Sequence, residues 1–214
     1  MSIFAIGDIH GHLDKLEALI DRLPLTSEDK LIFLGDYIDR GPDSKGVIAY
    51  LLELRKTRDC VMLMGNHEHM LRDLVRGCHN YRPEDWLRNG GTATLTSYGI
   101  ERIRPGEQPF PDGHYQFISN LPCCHQEPGF VFVHAGLTWG KSLERQTWKD
   151  LFWSREAFLR DRYKWPEGRV IFGHSYSDTL EPIVQDNKIG IDTGCAFGGH
   201  LTAVRLPEVE FYQA

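Results

Sequence analysis

The stretch "SIFAIGDIHG" (residues 2–11) contains the pattern from which the fold of this 214-residue chain can be predicted. An apolar run with the length of a buried strand ends at a glycine, and Asp8 and His10 follow directly. A glycine at such a position lets the backbone turn tightly or approach a ligand. On its own, an acid or a histidine after a strand is an ordinary turn residue.

The same pattern returns four more times along the chain, in the apolar runs "KLIFLG", "CVMLMG", "GFVFV" and "RVIFG". The polar residues that accompany these runs are Asp36, Asp39 and Arg40, then Asn66, His67 and His69, then His134, and finally His174. Five separate strand ends that carry metal-binding side chains favour a coordination site over a set of unrelated turns.

Two helices are predicted between the first three strands. Apolar residues recur at helical spacing in residues 12–23 and 43–56, and Asp43 or Ser44 is suited to cap the second helix. Strand, helix, strand, helix, strand is the pattern of a parallel sheet, whose strand carboxyl ends open on one edge. Ligands of such sheets bind at that edge, so the polar residues are expected to converge there.

The converging residues form a set of carboxylate, imidazole and amide ligands that contains no thiolate. Such a set suits divalent Mn, Fe, Zn, Co or Ni, with Mn the first choice. Six ligands are too many for one open catalytic ion and suit two ions that share a carboxylate, for which Asp36 is the candidate. Two ions can hold and activate a water between them and clamp a phosphoryl group. The six predicted ligands are Asp8, His10, Asp36, Asn66, His134 and His174.

Other polar residues of these segments suit acid catalysis and phosphate binding. His67 can protonate a leaving-group oxygen, and Asp39 can hold the other ring nitrogen of that histidine. Arg40 offers a planar fork of donors to phosphate oxygens. The alternative for Asp39 and Arg40 is a simple turn with a local ion pair. His69 is expected to be a core residue or a support for the ligands.

The charge and composition of the chain limit the kinds of partner and the cellular compartment that we expect. The formal net charge of −6 and the lack of a long basic run exclude extended contact with nucleic acid. The N-terminus shows neither a signal-peptide pattern nor a membrane span, so a cytoplasmic protein with no membrane partner is expected. The five cysteines form no C-x-x-C pair, which favours reduced, structural thiols.

The motifs resemble the signature blocks of the phosphoprotein phosphatase branch of the calcineurin-like metallophosphoesterases, and they occur in that family's order. Three further segments resemble parts of the bacterial and lambda-phage serine/threonine phosphatases. The signature blocks are "GDIHG" (7–11), "GDYIDRG" (35–41), "GNHE" (65–68), "HAG" (134–136) and "GH" (173–174), and the further segments are "WLRNGG" (86–91), "LFWSRE" (151–156) and "IDTGCAFGGHLTAVRL" (191–206).

The resemblance implies an α/β fold of four layers, in which helices flank a central β-sandwich and the metals lie at strand carboxyl ends. It implies one domain over residues 1–214, with the strands of residues 191–206 in the second sheet. One metal would be held by Asp8, His10 and Asp36, and the other by Asp36, Asn66, His134 and His174. His67 and Asp39 would form the acid pair, while Arg40, Asn66 and Arg155 would bind phosphate.

The resemblance leads us to expect a monomeric or weakly oligomeric phosphatase that acts on phosphoserine and phosphothreonine in proteins, with phosphotyrosine activity open. Attack by a hydroxide that bridges the two metals would release the phosphate. The alternative enzyme is a symmetrical diadenosine tetraphosphatase, and "GNHE" in place of "GNHD" favours the protein phosphatases. The alternative to an enzyme is a protein without catalytic activity that serves as a scaffold. Residues 138–169, with four tryptophans, form either a rim over the metals or a helical flank.

Overall fold

The computed structural model describes residues 2–214; Met1, the first residue of the predicted domain, lies outside the described part. Its strands are β1 (Ile3–Ile6), β2 (Lys30–Phe33), β3 (Asp59–Met62), β4 (Cys124–Glu127), β5 (Gly129–Val133), β6 (Gly168–Phe172), β7 (Ile183–Gln185), β8 (Lys188–Gly190), β9 (Asp192–Thr193), β10 (His200–Leu206) and β11 (Glu210–Gln213). Its α-helices are α1 (Leu13–Arg22), α2 (Ser44–Thr57), α3 (Asn66–Val75), α4 (Pro83–Trp86), α5 (Thr92–Tyr98), α6 (Asp112–Ser119), α7 (Trp148–Trp153) and α8 (Glu156–Arg160).

The strands form two mixed sheets. The first has the order β11-β10-β1-β2-β3, with β9 paired to β10, and the second has the order β4-β5-β6-β8-β7. In the first sheet β1, β2 and β3 are parallel, and β10 runs antiparallel to β1. In the second sheet β5, β6 and β8 are parallel. The predicted ligands follow the parallel strands β1, β2 and β3 of the first sheet and β5 and β6 of the second.

Both faces of the central strands are buried, which explains why these strands are continuous apolar runs. Ala5, Ile32 and Phe132 belong to a core between the two sheets. Their neighbours, such as Phe4 and Val131, point the other way into the larger core under the helices. The predicted α/β fold, with a central β-sandwich and flanking helices, is confirmed.

The two predicted helices are present as α1 and α2. Asp43 caps α2, because its side chain accepts a hydrogen bond of 2.8 Å from the backbone N–H of Gly46. Three short helices, α4, α5 and α6, lie in the stretch between α3 and β4. The five cysteines are free. Within residues 2–214, no helix combines the length and the apolar composition that a bilayer crossing requires.

Two predictions about the sheets were wrong. The five ligand-bearing strands do not share one parallel sheet, because β5 and β6 belong to the second sheet. The strands of residues 191–206 do not form that second sheet either, since β10 pairs with β1 over Ile3–Ile6. An apolar run indicates a strand buried on both faces, but its partner is decided by pairing between residues far apart in the chain.

Candidate functional site

The predicted ligands meet where the carboxyl ends of β1, β2 and β3 face those of β5 and β6. Backbone hydrogen bonds hold the loops together, with the N–H of His10 donating to the carbonyl of Asp36 at 2.8 Å and that of Gly173 to the carbonyl of His134 at 2.7 Å. The N–H of His174 donates to the carboxylate of Asp8 at 3.0 Å and so joins the two sheets. The structure therefore brings all six predicted ligand residues to one place, although they come from both sheets.

Asp36 lies at the centre of the cluster. Its Oδ2 atom is 3.5 Å from Nε2 of His10 and 3.5 Å from Nε2 of His134. The same oxygen is 3.8 Å from Nε2 of His67. Asp36 belongs to both sets of side chains whose ligand atoms lie close enough to hold one ion, the first with His10 and His67 and the second with His134 and His174. This geometry fits a carboxylate that is shared by two ions.

In His10 and His134, hydrogen bonds determine which ring nitrogen faces the cluster. Nδ1 of His10 lies 3.0 Å from the carbonyl of Ile38, and Nδ1 of His134 lies 2.9 Å from that of Leu34. A carbonyl only accepts, so both Nδ1 atoms carry the proton and the Nε2 lone pairs point inward. Burial lowers the pKa of both histidines, which keeps the rings neutral. Neutral imidazoles with inward lone pairs are in the state that binds metal.

Asn66 and His134 each direct a hydrogen-bond acceptor at the other. Oδ1 of Asn66 is 2.9 Å from Nε2 of His134, whose proton is engaged at Nδ1. A cation between the two atoms would turn this repulsive contact into joint coordination. In addition, Nε2 of His174 is buried with no hydrogen-bond partner among residues 2–214. These donor atoms fit a divalent metal centre.

Buried carboxylates add negative charge that a cation would neutralise. Burial, followed by repulsion from Asp192 and Asp36, raises the pKa of Asp8 well above its usual value. Burial likewise raises the pKa of Asp192 to about 6. Asp36 has a lowered pKa, because the surrounding imidazoles, led by His134, attract its carboxylate when they are protonated and together outweigh the effect of burial. Two dications would stabilise the ionised form of all three acids.

The backbone of the site is held in sparsely populated conformations. Among the described residues, seven non-glycine residues have positive φ, and five of them belong to the predicted site. Such conformations cost of order 1–3 kcal/mol each and persist only where surrounding contacts enforce them. These five residues are His10 (φ 48°), Asp36 (54°), Asp39 (71°), Arg40 (70°) and His174 (62°).

His67 and Asp39 form a buried pair beside the ligands. Nδ1 of His67 donates to Oδ2 of Asp39 at 2.6 Å, and the indole N–H of Trp86 donates to the same oxygen at 2.8 Å. Burial by itself would lower the pKa of His67, but Asp36 and Asp39 outweigh burial and raise it. The other ring nitrogen, Nε2, has no partner among residues 2–214. This histidine can therefore present a proton towards the cluster.

The two arginines lie at different depths. Arg40 is half-buried, and its guanidinium donates to Nε2 of His10 at 2.6 Å. Arg155 is exposed at the start of α8, and its charge contributes to the lowered pKa of His174, after burial and His134. Both arginines are thus near the ligands, one in the loop after β2 and the other at the start of α8. The alternative of a simple turn for Asp39 and Arg40 is wrong, because Asp39 binds His67 and Trp86 in place of a local arginine.

His69 is buried in an aromatic cluster, as expected of a core or supporting residue. Its ring stacks on Trp148 at 5.0 Å, and its Nδ1 atom lies 3.2 Å from the hydroxyl of Tyr81. Trp153 donates to that same hydroxyl at 2.9 Å and packs against His174 at 5.9 Å. Of the four tryptophans in residues 138–169, only Trp139 is largely exposed, at 65%. The helical-flank interpretation therefore holds for Trp148 and Trp153 on α7, while Trp165 is buried between α8 and β6.

Sequence reasoning missed Asp192 and Thr94. Asp192 follows the apolar residues "IGI" and precedes Gly194, which is a sixth occurrence of the pattern found at the five ligand strands. That repetition could have identified Asp192. Thr94 donates to Oδ1 of Asp39 at 2.6 Å. No signal in the sequence indicates this contact, because it joins the loop after β2 to the helix α5, 55 residues along the chain.

A family model supports the assignment that the geometry suggests. The model described as calcineurin-like phosphoesterase matches residues 1–202. The chain belongs to the calcineurin-like phosphoesterases. Membership implies hydrolysis of phosphate esters or anhydrides with divalent metal ions, and the cluster around Asp36 fits such ions.

This calcineurin-like phosphoesterase has relatives along its whole length. It is 30% identical over 238 residues to the asymmetrical bis(5′-nucleosyl)-tetraphosphatase PrpE of Oceanobacillus iheyensis, covering 99% of this chain and 91% of that protein. It is 25% identical over 279 residues to the symmetrical bis(5′-nucleosyl)-tetraphosphatase of Nitrosospira multiformis, covering 100% of this chain and 95% of that protein. The crystal structure of a candidate diadenosine tetraphosphatase shares the fold, with a TM-score of 0.77, 23% identity, and coverage of 100% of this chain and 92% of that one.

The expectation of a serine/threonine protein phosphatase was wrong, because these full-length relatives are named tetraphosphatases of dinucleosides. The structure explains why "GNHE" misled. Glu68 is fully buried, and its carboxylate accepts the backbone N–H groups of Asp36, Tyr37, Ile38 and Gly65 at 2.8–3.2 Å. It shapes the loop that carries Asp36 and has no exposed surface that a substrate could contact.

Proposed function

We propose that this phosphoesterase hydrolyses dinucleoside tetraphosphates. The observation that carries the proposal is the similarity over the full chain to bis(5′-nucleosyl)-tetraphosphatases at 25–30% identity. The buried cluster around Asp36 supports it, since a polyphosphate chain carries several negative charges that divalent metals and arginines would neutralise.

In this proposal each residue has a specific task. Asp8, His10, Asp36, Asn66, His134 and His174 hold two divalent ions, which supply Lewis-acid activation of water and of the phosphoryl group. Arg40 and Arg155 bind phosphate oxygens. Water attacks one phosphorus and releases a proton to solvent, the P–O–P bond at that phosphorus breaks, and the departing phosphate oxygen takes the proton that His67 holds at Nε2. Asp39 keeps the ring of His67 oriented and stabilises its protonated form.

The test must also identify which bond is broken, because the relatives include both symmetrical and asymmetrical tetraphosphatases. Cleavage of the central anhydride bond would give two nucleoside diphosphates. Cleavage of an outer bond would give a triphosphate and a monophosphate. Symmetrical cleavage therefore predicts ADP as the sole nucleotide product from diadenosine tetraphosphate.

The experiment compares initial rates on diadenosine tetraphosphate and on a phosphothreonine peptide. The protein is stripped with a chelator and reloaded with Mn²⁺, then with the other candidate metals in turn. Asp36→Asn serves as the blank, since it removes the shared ligand. We expect kcat/KM to favour the dinucleotide by at least about tenfold, a difference of ~1.4 kcal/mol in transition-state binding. A preference for the peptide would overturn the proposal, and chromatography of the nucleotide products identifies the broken bond.

A further inference from the structure

Two exposed aromatic side chains lie together near the metal cluster. Phe197 is 51% exposed and Tyr176 is 43% exposed, although both are large and apolar. Their ring centroids are 5.2 Å apart, with an interplanar angle of 41°. Tyr176 follows the ligand His174 by two residues, so the pair stands beside the site. Exposed aromatic surface of this kind is typical of a recognition site.

Arg40 connects the aromatic pair to the cluster. Its guanidinium carbon lies 4.9 Å from the centroid of the Phe197 ring, and the same guanidinium reaches Nε2 of His10 at 2.6 Å. A single side-chain group thus spans the gap between the aromatic ring and the predicted ligands. A nucleoside whose phosphate binds at the metals and Arg40 would place its base near this ring.

The loop that carries Phe197 is anchored from both ends. Phe197 closes a short helical turn between β9 and β10, and Gly194 and Gly198 on either side adopt left-handed φ angles of 71° and 88°. Nζ of Lys15 on α1 donates to the carbonyls of Cys195 and Gly199, each at 2.9 Å. Because these contacts hold the loop in place, the fold itself keeps the ring of Phe197 exposed. A ligand that stacks on this ring therefore needs to order little of the protein.

We propose that Phe197 and Tyr176 form the stacking surface for one nucleobase of the substrate, with Arg40 between that base and the phosphates. The assignment rests on the proposed hydrolysis of dinucleoside tetraphosphates and adds the residues that recognise the nucleoside. Stacking on an aromatic surface accepts any base, so this surface selects a nucleoside over a bare phosphate without selecting among bases.

The test measures binding, so that it does not depend on catalysis. Calorimetric titrations of AMP and of ribose 5-phosphate into the Mn²⁺-loaded protein compare two ligands that differ only in the base. Stacking of one base contributes about five- to 150-fold in affinity, so AMP is expected to bind more tightly by that factor. In Phe197→Leu and Tyr176→Leu the advantage of AMP shrinks at least about fivefold, while the affinity for ribose 5-phosphate is unchanged.

Two further variants make the test specific. Phe197→Tyr keeps the aromatic face and is expected to restore the preference for AMP. Tyr163→Leu removes a partly exposed ring that packs on Trp139, in a different aromatic pair, and is expected to leave both affinities as in the wild type. Thermal unfolding checks that each variant folds.

The outcomes separate this inference from the proposed function. If the wild type binds AMP and ribose 5-phosphate equally, or if Phe197→Leu and Tyr176→Leu keep the full preference, the stacking surface is wrong even where diadenosine tetraphosphate is hydrolysed. An equal loss in Tyr163→Leu would also overturn it. If the preference behaves as expected but the dinucleotide is not hydrolysed, the stacking surface stands and the proposed function fails.

Discussion

Oδ2 of Asp39 lies 2.6 Å from Nδ1 of His67, and both side chains are fully buried. The same oxygen accepts the indole N–H of Trp86 at 2.8 Å, and the other carboxylate oxygen accepts the hydroxyl of Thr94 at 2.6 Å. This arrangement fixes the orientation of the imidazole and favours its protonated form. The arrangement supports the role of His67 as a proton donor beside the cluster, in a position where water has little access.

His67→Gln is expected to lower kcat on diadenosine tetraphosphate by about 10²–10⁴-fold, the usual scale for loss of a general acid. The reason is that glutamine cannot release a proton to the departing phosphate oxygen. Metal content measured on the same sample must remain at the wild-type level. Full turnover would refute the acid role, and loss of one metal would make His67 a ligand, which its position 3.8 Å from Asp36 allows geometrically.

Metal binding is expected to stabilise the folded protein, because the cations bind side chains that converge only in the native state. At a metal concentration about 100 times Kd, one site adds ~2.7 kcal/mol to the free energy of unfolding. Thermal unfolding with chelator and with added Mn²⁺ measures the shift. Asp36→Asn should abolish most of the shift. Asp59→Asn, at the opposite end of β3, should retain it; equal shifts in both variants would contradict the placement of the ions around Asp36.

Gly65→Ala is expected to damage the site. A Cβ at position 65 would overlap Oδ1 and the backbone nitrogen of Asp36, so the shared carboxylate would have to move. Overpacking of this kind costs about 1–3 kcal/mol of stability, and we expect metal affinity to fall with it. Gly113→Ala is the matched control, because a Cβ there meets nothing within 4 Å. Urea unfolding and metal titration of both variants measure the two effects; wild-type metal affinity in Gly65→Ala would contradict the expectation.

His69 is expected to make the free energy of unfolding depend on pH. Burial lowers its pKa from 6.5 to about 4, against the opposing charge of Asp73. Between these pH values the unfolded chain binds more protons than the folded chain, so stability falls as the pH drops from 6.5 towards 4. At 1.36 kcal/mol per pKa unit, the loss is of the order of 2–3 kcal/mol.

Urea unfolding in the presence of chelator, at several pH values between 4 and 6.5, measures this loss. His69→Gln cannot titrate and should have a shallower pH dependence than the wild type by about that amount. His79→Gln, at an exposed position, serves as the control and should keep the wild-type slope. An unchanged slope in His69→Gln would show that this ring does not carry the effect.

The amino-acid sequence by itself determined the parts of this protein that depend on neighbouring residues. Apolar runs predicted β1, β2, β3, β5 and β6, helical spacing predicted α1 and α2, and the residue types after the strands predicted which side chains meet at the site. These features were predictable because strand burial, helix amphipathicity and capping are read from residues close together in the chain.

Only the tertiary structure decided what depends on residues far apart. The division of the ligand strands between two sheets arises from pairings such as Ile3 with Leu206. The contact of His174 with Asp8 and that of Phe197 with Arg40 likewise join segments more than 150 residues apart. Local patterns carry no information on such partners. Glu68 is a further example. Its carboxylate is buried under the loop of Asp36, so the sequence around the ligands indicates the metals and says little about the substrate.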